Sequence, residues 1–328
     1  MKTCNSLVTG GAGFIGSHVT ENLLRLGSRV VLLDNFSSGK KENISHLLTN
    51  PSLKLVREDL KKPSMLYNLV KECDVVFHLA ANPEVRVGET SPRIHFEENI
   101  LATFNLLESI RHLKQPKTIV FASTSTVYGD AKQIPTPENY GPLEPISTYG
   151  ASKLACEALI ASYCSTFNHR GLILRLANVI GPRARHGVIV DFIRKISENP
   201  NQLNILGDGT QNKSYLHIND CVEAIVSLTN RFVNSKAPTV DVFNIGSEDQ
   251  VTVKEIAEIV AQKMDKPDIR YVFTGGVDSG RGWKGDVKYM KLSIDKLLKT
   301  GWKPQYNSRE AVRLATTELL HELINKQD

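Results

Sequence analysis

The chain has 328 residues, 41% hydrophobic and 23% charged, with a formal net charge of +5. This is ordinary globular composition, enough for a sizeable core and two lobes, and it excludes a low-complexity chain. Lysines and arginines are scattered among acids without a long basic run, which fits a cleft for a small anion and excludes a nucleic-acid stripe.

The first 180 residues alternate strand and helix patterns. Ser6–Thr9 reads as a short apolar strand, and Phe14–Leu26 has helical periodicity, with Phe14, Ile15, Val19, Leu23 and Leu26 able to share one face. Further strands are expected at Arg29–Leu33, Leu53–Arg57, Val75–Leu79, Thr118–Ala122 and Gly171–Leu176, with helical patterns between most of them. Short apolar strands separated by helices imply an α/β fold with a doubly wound parallel sheet of Rossmann type. From Asn178 the rhythm loosens into Gly-Pro-Arg, Asn-Pro-Asn and Gly-Asp-Gly turns. Val240–Ile245 is expected to return to the first sheet, and the last stretch reads as a smaller mixed α/β substrate lobe. The expected division is residues 1–177 plus about 214–247 for the nucleotide domain, and about 178–213 plus 248–328 for the second lobe.

The cysteines Cys4, Cys73, Cys156, Cys164 and Cys221 show no Cys-x-x-Cys spacing and read as reduced thiols. No signal peptide precedes the first strand and no apolar run reaches about 18 residues, so a cytoplasmic chain without membrane or metal partners is expected.

Leu7-Val8-Thr9-Gly10-Gly11-Ala12-Gly13-Phe14-Ile15-Gly16 passes from strand through a glycine turn into a helix. Glycines allow the tight turn and a close backbone approach, and the helix N-terminus offers N–H groups to a pyrophosphate. Asp34 ends the second strand, 18 positions past Gly16. The acid that binds a ribose diol is expected about 20 residues on. A carboxylate there accepts two hydroxyl hydrogen bonds and repels a 2′-phosphate, which favours NAD over NADP. An aspartate capping the next helix is the alternative.

Tyr149 and Lys153 stand four apart at the start of a helical segment, so both leave the same face. A phenol has a pKa near about 10 and is a poor base at neutral pH. An ammonium about 4 Å away, at an effective dielectric of roughly 20, favours the phenolate by about 4 kcal/mol. That would lower the phenol pKa by about three and make Tyr149 a base poised near neutrality. Taken alone, the pair is more often a surface contact.

With the glycine turn, Asp34 and the Tyr–Lys pair, the chain resembles an extended short-chain dehydrogenase/reductase of the NAD-dependent nucleotide-sugar epimerase/dehydratase family. The resemblance extends to Glu58-Asp59-Leu60, His78-Leu79-Ala80-Ala81, Asn99, Phe121-Ala122-Ser123-Thr124-Ser125-Thr126-Val127-Tyr128-Gly129 and Arg175-Leu176-Ala177-Asn178-Val179-Ile180-Gly181-Pro182-Arg183. It implies NAD held by Gly10, Gly13, Phe14, Ile15, Gly16, Asp34, Asn35, Ser37, Asp59, Leu60, Leu79, Ala80, Ala81, Asn99, Ser123, Tyr149 and Lys153. It implies Tyr149 as base, Lys153 as its tuning partner on the nicotinamide ribose, and Thr124 as donor or relay at the reacting hydroxyl, with Ser123 nearby.

For the nucleotide sugar, the resemblance implies Ser123, Thr124, Tyr149, Asn178, His186, Gly187 and Val188. Lys213 stands where an arginine usually grips the diphosphate, and lysine lacks the bidentate fork. In Arg281-Gly282-Trp283-Lys284-Gly285-Asp286, Trp283 takes the usual arginine place, so Arg281 or Lys284 would supply the charge. His217 reads as structural. Met290 falls near the family's sugar-size gate and weakly favours hexoses over N-acetylhexosamines. The helices around Phe96–Leu113 and Tyr149–Phe167 resemble those that pair subunits into a four-helix bundle, which implies a homodimer.

Family members that dehydrate a sugar carry Thr-Asp-Glu at the strand end, and the decarboxylases carry Thr-Ser-Glu. This chain has Thr124-Ser125-Thr126. The expected reaction is therefore 4-epimerisation of UDP-glucose and UDP-galactose: oxidation at C4, rotation of the keto sugar and re-reduction on the other face. UDP-glucuronate, a UDP-N-acetylhexosamine or a dTDP-sugar as substrate remain alternatives, as does a net dehydrogenase or reductase, or a non-enzymatic dinucleotide sensor.

Overall fold

The computed structural model describes residues 4–236 and 238–324. Two compact units emerge. One runs to Val127 and resumes over Thr148–Arg175 and Val222–Phe243; the other takes Tyr128–Ser147, Leu176–Cys221 and the chain from Asn244 on.

The first unit is built on a seven-stranded sheet in the order Val240–Ile245, Arg170–Leu176, Thr118–Thr124, Val75–His78, Asn5–Thr9, Arg29–Asp34, Leu53–Arg57. The last five run parallel, with Leu7 opposite Val31 on one side and Val76 on the other. The chain starts in the middle, builds outward to Leu53–Arg57, then returns to the other side of the first strand. That reversal between Asn5–Thr9 and Val75–His78 creates the crevice where open α/β sheets take ligands at strand carboxyl ends. The predicted strands are present, most within a residue or two of their expected ends, and Val240–Ile245 does join this sheet.

The first helix, Phe14–Arg25, presents a different face from the expected one. Gly16, Ser17, Val19, Thr20, Leu23 and Leu24 are buried, whereas Phe14 and Ile15 are half-exposed and Leu26 is 39% exposed. Small residues let this helix lie close to the turn: a Cβ on Gly16 would meet the Gly10 carbonyl oxygen at 2.1 Å. Backbone proximity, rather than the largest apolar residues, sets the inward face.

Beneath the turn, His78 is fully buried, with Nδ1 2.9 Å from Thr9 Oγ1 and Nε2 2.9 Å from Thr103 Oγ1. Thr103 donates to the Asn99 carbonyl, so it accepts from Nε2–H, and Nδ1 accepts from Thr9. Burial, with Lys153 adding repulsion, pushes the His78 pKa down to about 3. The unfolded chain therefore binds more protons than the native one between about 3 and 6.5, and stability falls as pH drops through that window. Urea unfolding from about pH 8 to about pH 4 should show this loss, and a His78→Gln variant should show a flatter curve.

In the second unit, helices Val188–Glu198, Val253–Lys263 and Ser308–Ile324 surround a core that includes Phe192, Ile193, Leu203, Ile256, Val260 and Val312. Thr252 and Glu255 form a reciprocal capping box that starts Val253–Lys263. Short parallel pairs, Arg270–Phe273 on Gln202–Ile205 and Tyr215–His217 on Asn178–Ile180, complete it. The segment Tyr128–Ser147 belongs here rather than to the nucleotide domain. Tyr128 donates to Asn244 Oδ1 at 2.8 Å, and Thr136 N–H bonds the Lys291 carbonyl at 2.9 Å. Residues 214–221 also fall in this unit, contrary to the expected boundary. The cysteines are free thiols. No helix among the described residues is long and apolar enough to cross a membrane, and no metal-holding cluster of side chains occurs among them.

Candidate active site

The glycine turn lies at the sheet's switch point. Gly10 has φ +68°, and a Cβ there would meet Ala80 Cα and N at 2.8 Å, so the end of the first strand touches the end of Val75–His78. Gly13 ends the turn in extended backbone and offers no side chain to cap the helix. The first-turn N–H groups of Phe14, Ile15 and Gly16 have no intrahelical acceptors and point outward from the positive end of the helix dipole. A Cβ on Gly13 would meet only the Gly10 carbonyl oxygen, at 3.1 Å, so the open side of the turn is kept clear. This cradle fits a dinucleotide pyrophosphate.

Asp34 is 5% exposed and accepts from Ala12 N–H at 2.9 Å and Phe36 N–H at 2.7 Å. Burial raises its pKa, and the two backbone donors oppose that rise. Asn35 Nδ2 donates to Asp59 Oδ2 at 3.2 Å, and Ser37 N–H donates to Asn35 Oδ1 at 2.9 Å. These residues form one polar patch at the ends of the second and third strands. Leu60 is buried beside it, while Leu79, Ala80 and Ala81 are half-exposed at the end of the fourth strand. The set suits the adenosine half of NAD.

Asn99 takes a different role from the implied one. It is 1% exposed in a π-helical turn, Phe96–Leu101. Its Oδ1 accepts from Asn82 N–H at 2.8 Å and its Nδ2 donates to Ser152 Oγ at 2.8 Å. Ser152 in turn donates to the Tyr149 carbonyl at 2.7 Å. The amide ties the helix of Tyr149 to the loop after the fourth strand.

Thr124, 8% exposed, closes the fifth strand with its hydroxyl within hydrogen-bonding reach of the Tyr149 phenol and 3.2 Å from Thr126 Oγ1. Thr148 and Tyr149 open the 20-residue helix Thr148–Phe167. The buried His95 bonds Thr148 Oγ1 through Nδ1 at 2.9 Å and the Glu84 carbonyl through Nε2 at 3.1 Å. Its ring meets Tyr149 edge-on, with centroids 5.7 Å apart. Sequence reasoning missed His95 because nothing local links it to residue 148.

The expected electrostatic coupling of Lys153 to Tyr149 is not what the structure has. Lys153 Nζ donates to the Ala122 carbonyl at 2.9 Å and lies 4.7 Å from the Phe121 ring centroid. Burial lowers its pKa to about 8. The Tyr149 ring is half-exposed, yet desolvation of the phenol, with Cys156 adding to it, pushes its pKa up to about 12 against the hydrogen bond from Thr124. Helical spacing places both residues on one face but does not aim the ammonium. The strand carbonyl competes for it, and the shared burial penalises both charges.

In the second unit, the implied sugar-nucleotide residues are spread out. Asn178 donates to the Ser214 carbonyl at 3.1 Å. Gly187 (φ +107°) ends at the helix Val188–Glu198, next to the exposed His186. Lys213 Nζ is 2.5 Å from Asp286 Oδ1 and 5.6 Å from the Trp283 ring centroid. Arg281 forks onto Asp130 at 3.0 and 2.8 Å. Lys284 is exposed. His217 is fully buried between Glu318 and Tyr306, and Met290 is buried on a short strand beside Lys213.

A doubly wound sheet, an uncapped glycine turn at its switch point and a Tyr–Thr pair at a neighbouring strand end define a Rossmann-type dinucleotide-binding enzyme. The profile of the NAD dependent epimerase/dehydratase family matches residues 6–246, and the chain belongs to that family. A candidate UDP-glucose 4-epimerase of Methanocaldococcus jannaschii is 32% identical over 94% of this chain and 95% of its own. UDP-glucuronic acid decarboxylase 1 of Arabidopsis thaliana is 30% identical over the whole chain and 72% of its own. A crystal structure of a UDP-galactose 4-epimerase superposes with TM-score 0.84 and 47% identity, over 97% of this chain and 99% of the other. The protein is thus an NAD-dependent enzyme of the extended short-chain dehydrogenase/reductase type.

Proposed function

We propose that the protein is a 4-epimerase that interconverts UDP-glucose and UDP-galactose. The observation that carries this reading is the Thr124–Tyr149 hydrogen bond at a strand end where Ser125 and Thr126 follow and no carboxylate does. An elimination needs an acid and a base; an oxidation and re-reduction at one carbon needs a single group that takes a proton and returns it. Tyr149 is that group, and Thr124 orients its oxygen. Lys153 holds the Ala122 carbonyl and keeps a positive charge under the site below pH about 8.

When bound, NAD supplies a hydride acceptor at the sugar C4 and a positively charged ring. The glycine turn, Asp34, Asn35 and Asp59 would hold it, and tight retention would make it a prosthetic group. In the ligand-free chain the phenol stays protonated across neutral pH. Its pKa should therefore fall once a cation is bound beside it. Absorbance titration at 295 nm, taken as wild type minus Tyr149→Phe, should show the Tyr149 step at lower pH in the NAD-loaded protein than in the stripped one. An unchanged step would leave the base unactivated.

The functional test is incubation with UDP-galactose and no added NAD, followed by chromatography for UDP-glucose. Appearance of UDP-glucose supports the reading. Release of CO2 from UDP-glucuronate, or turnover only with stoichiometric NAD, overturns it.

We also propose a homodimer. Phe96 and Phe104 are 56% and 40% exposed, and Phe104, Tyr163 and Phe167 form an aromatic row along the two helices expected to pair. Light scattering should give twice the chain mass, and Phe104→Glu should shift it toward the monomer.

A further inference from the structure

Ser123, Glu157 and Arg175 form a buried cluster that the reaction described above does not use. Glu157 lies one helical turn beyond Lys153 on the Tyr149 helix. Its carboxylate accepts from the Ser123 hydroxyl and from Arg175, with Nε at 3.0 Å from Oε1 and Nη2 at 2.7 Å from Oε2. The Glu157 and Arg175 side chains are each 6% exposed, and Ser123 is 4% exposed. Arg175 comes from Arg170–Leu176, the sheet neighbour of Thr118–Thr124. A paired charge this deep needs every hydrogen bond it makes, so its geometry is tightly fixed.

We propose that Glu157 is a positioning residue, and that the Ser123–Glu157–Arg175 clamp sets the register between the fifth strand and the Tyr149 helix. Two successive residues of that strand are pinned to this helix. Lys153 takes the Ala122 carbonyl, and Glu157 takes the Ser123 hydroxyl. The next residue is Thr124, whose hydroxyl meets the Tyr149 phenol. A strand end held at positions 122 and 123 cannot slide, so the Thr124–Tyr149 contact is fixed before any ligand arrives. The clamp also reassigns Ser123. Its hydroxyl proton is committed to a buried carboxylate, so Ser123 is not available as a donor to a sugar or a nicotinamide.

The clamp's catalytic consequence rests on the proposed 4-epimerase activity, but its structural consequence does not. Ser123→Ala removes the tie and leaves the Glu157–Arg175 pair intact, so the variant should fold. With UDP-galactose as probe, kcat should fall about tenfold or more through misplacement of Thr124 against Tyr149. KM should stay within about twofold, because no ligand contact is lost. NAD retained through gel filtration should match wild type. Independently of activity, the amides of residues 122–124 should exchange hydrogen faster than in wild type.

A raised KM with unchanged kcat would show that the hydroxyl touches the substrate and would overturn the clamp, as would unchanged exchange at residues 122–124. If wild type fails to convert UDP-galactose, the functional reading fails, and hydrogen exchange alone decides the clamp. The double variant Glu157→Leu/Arg175→Met removes both charges and the acceptor for Ser123 together. It should reproduce the Ser123→Ala exchange pattern; wild-type exchange in it would contradict the proposal.

Discussion

Replacing Tyr149 by phenylalanine is expected to cut turnover of UDP-galactose by about 10² to 10⁴-fold, the range a general acid–base group contributes. The ring and its edge-on packing against His95 remain, and only the oxygen that meets Thr124 is lost. Binding should survive, because the glycine turn and Asp34 lie elsewhere on the sheet. Tyr149→Phe should elute with the same bound nucleotide as wild type and bind UDP with a similar Kd. Loss of NAD together with activity would instead make Tyr149 a structural residue of the cofactor site. The rate loss should not be rescued by raising pH, since phenylalanine carries no group that can ionise and take the proton.

Gly16→Ala should have the second large effect, on cofactor and fold together. Its Cβ would stand 2.1 Å from the Gly10 carbonyl oxygen and 2.9 Å from Gly11 Cα, all backbone that cannot rotate away. The helix Phe14–Arg25 must shift off the turn, at a cost of about 1–3 kcal/mol typical of overpacking. A shifted helix N-terminus also moves the N–H groups that face the pyrophosphate. The expected result is a lower melting temperature and NAD lost on gel filtration. Gly13→Ala separates the two effects: its Cβ has only the Gly10 oxygen at 3.1 Å to accommodate. Its melting temperature should stay near wild type while NAD binding weakens by about tenfold or more, about 1.4 kcal/mol per decade. Full NAD retention by both variants would remove the glycine turn from the cofactor site.

Much of the sheet was legible because its strands are short apolar runs between glycine turns, and local pattern is enough for those. The glycine turn and Asp34 were legible for the same reason: their spacing along the chain is their geometry. The inward face of the first helix was not, because Gly16, Ser17 and Thr20 face the sheet by virtue of being small, and periodicity weighs large residues. Nor was the direction of Lys153. Its spacing from Tyr149 predicts an ion–phenol contact, but the Ala122 carbonyl and the Phe121 ring come from a strand some 30 positions earlier and capture it. Gaps of 53 positions between His95 and Thr148 and of 34 between Ser123 and Glu157 hide those contacts in the same way. In the second unit, lysines and arginines were legible as charges but not as pairs, since Asp130 and Arg281 are 151 positions apart.

The most direct test of the account is a conversion of UDP-galactose carrying deuterium at C4, with the protein as purified and no added cofactor. The account predicts UDP-glucose with the deuterium still on C4, because the hydrogen leaves and returns as a hydride held on carbon, which does not exchange with water. UDP-glucose with protium at C4, or no UDP-glucose at all, would contradict it.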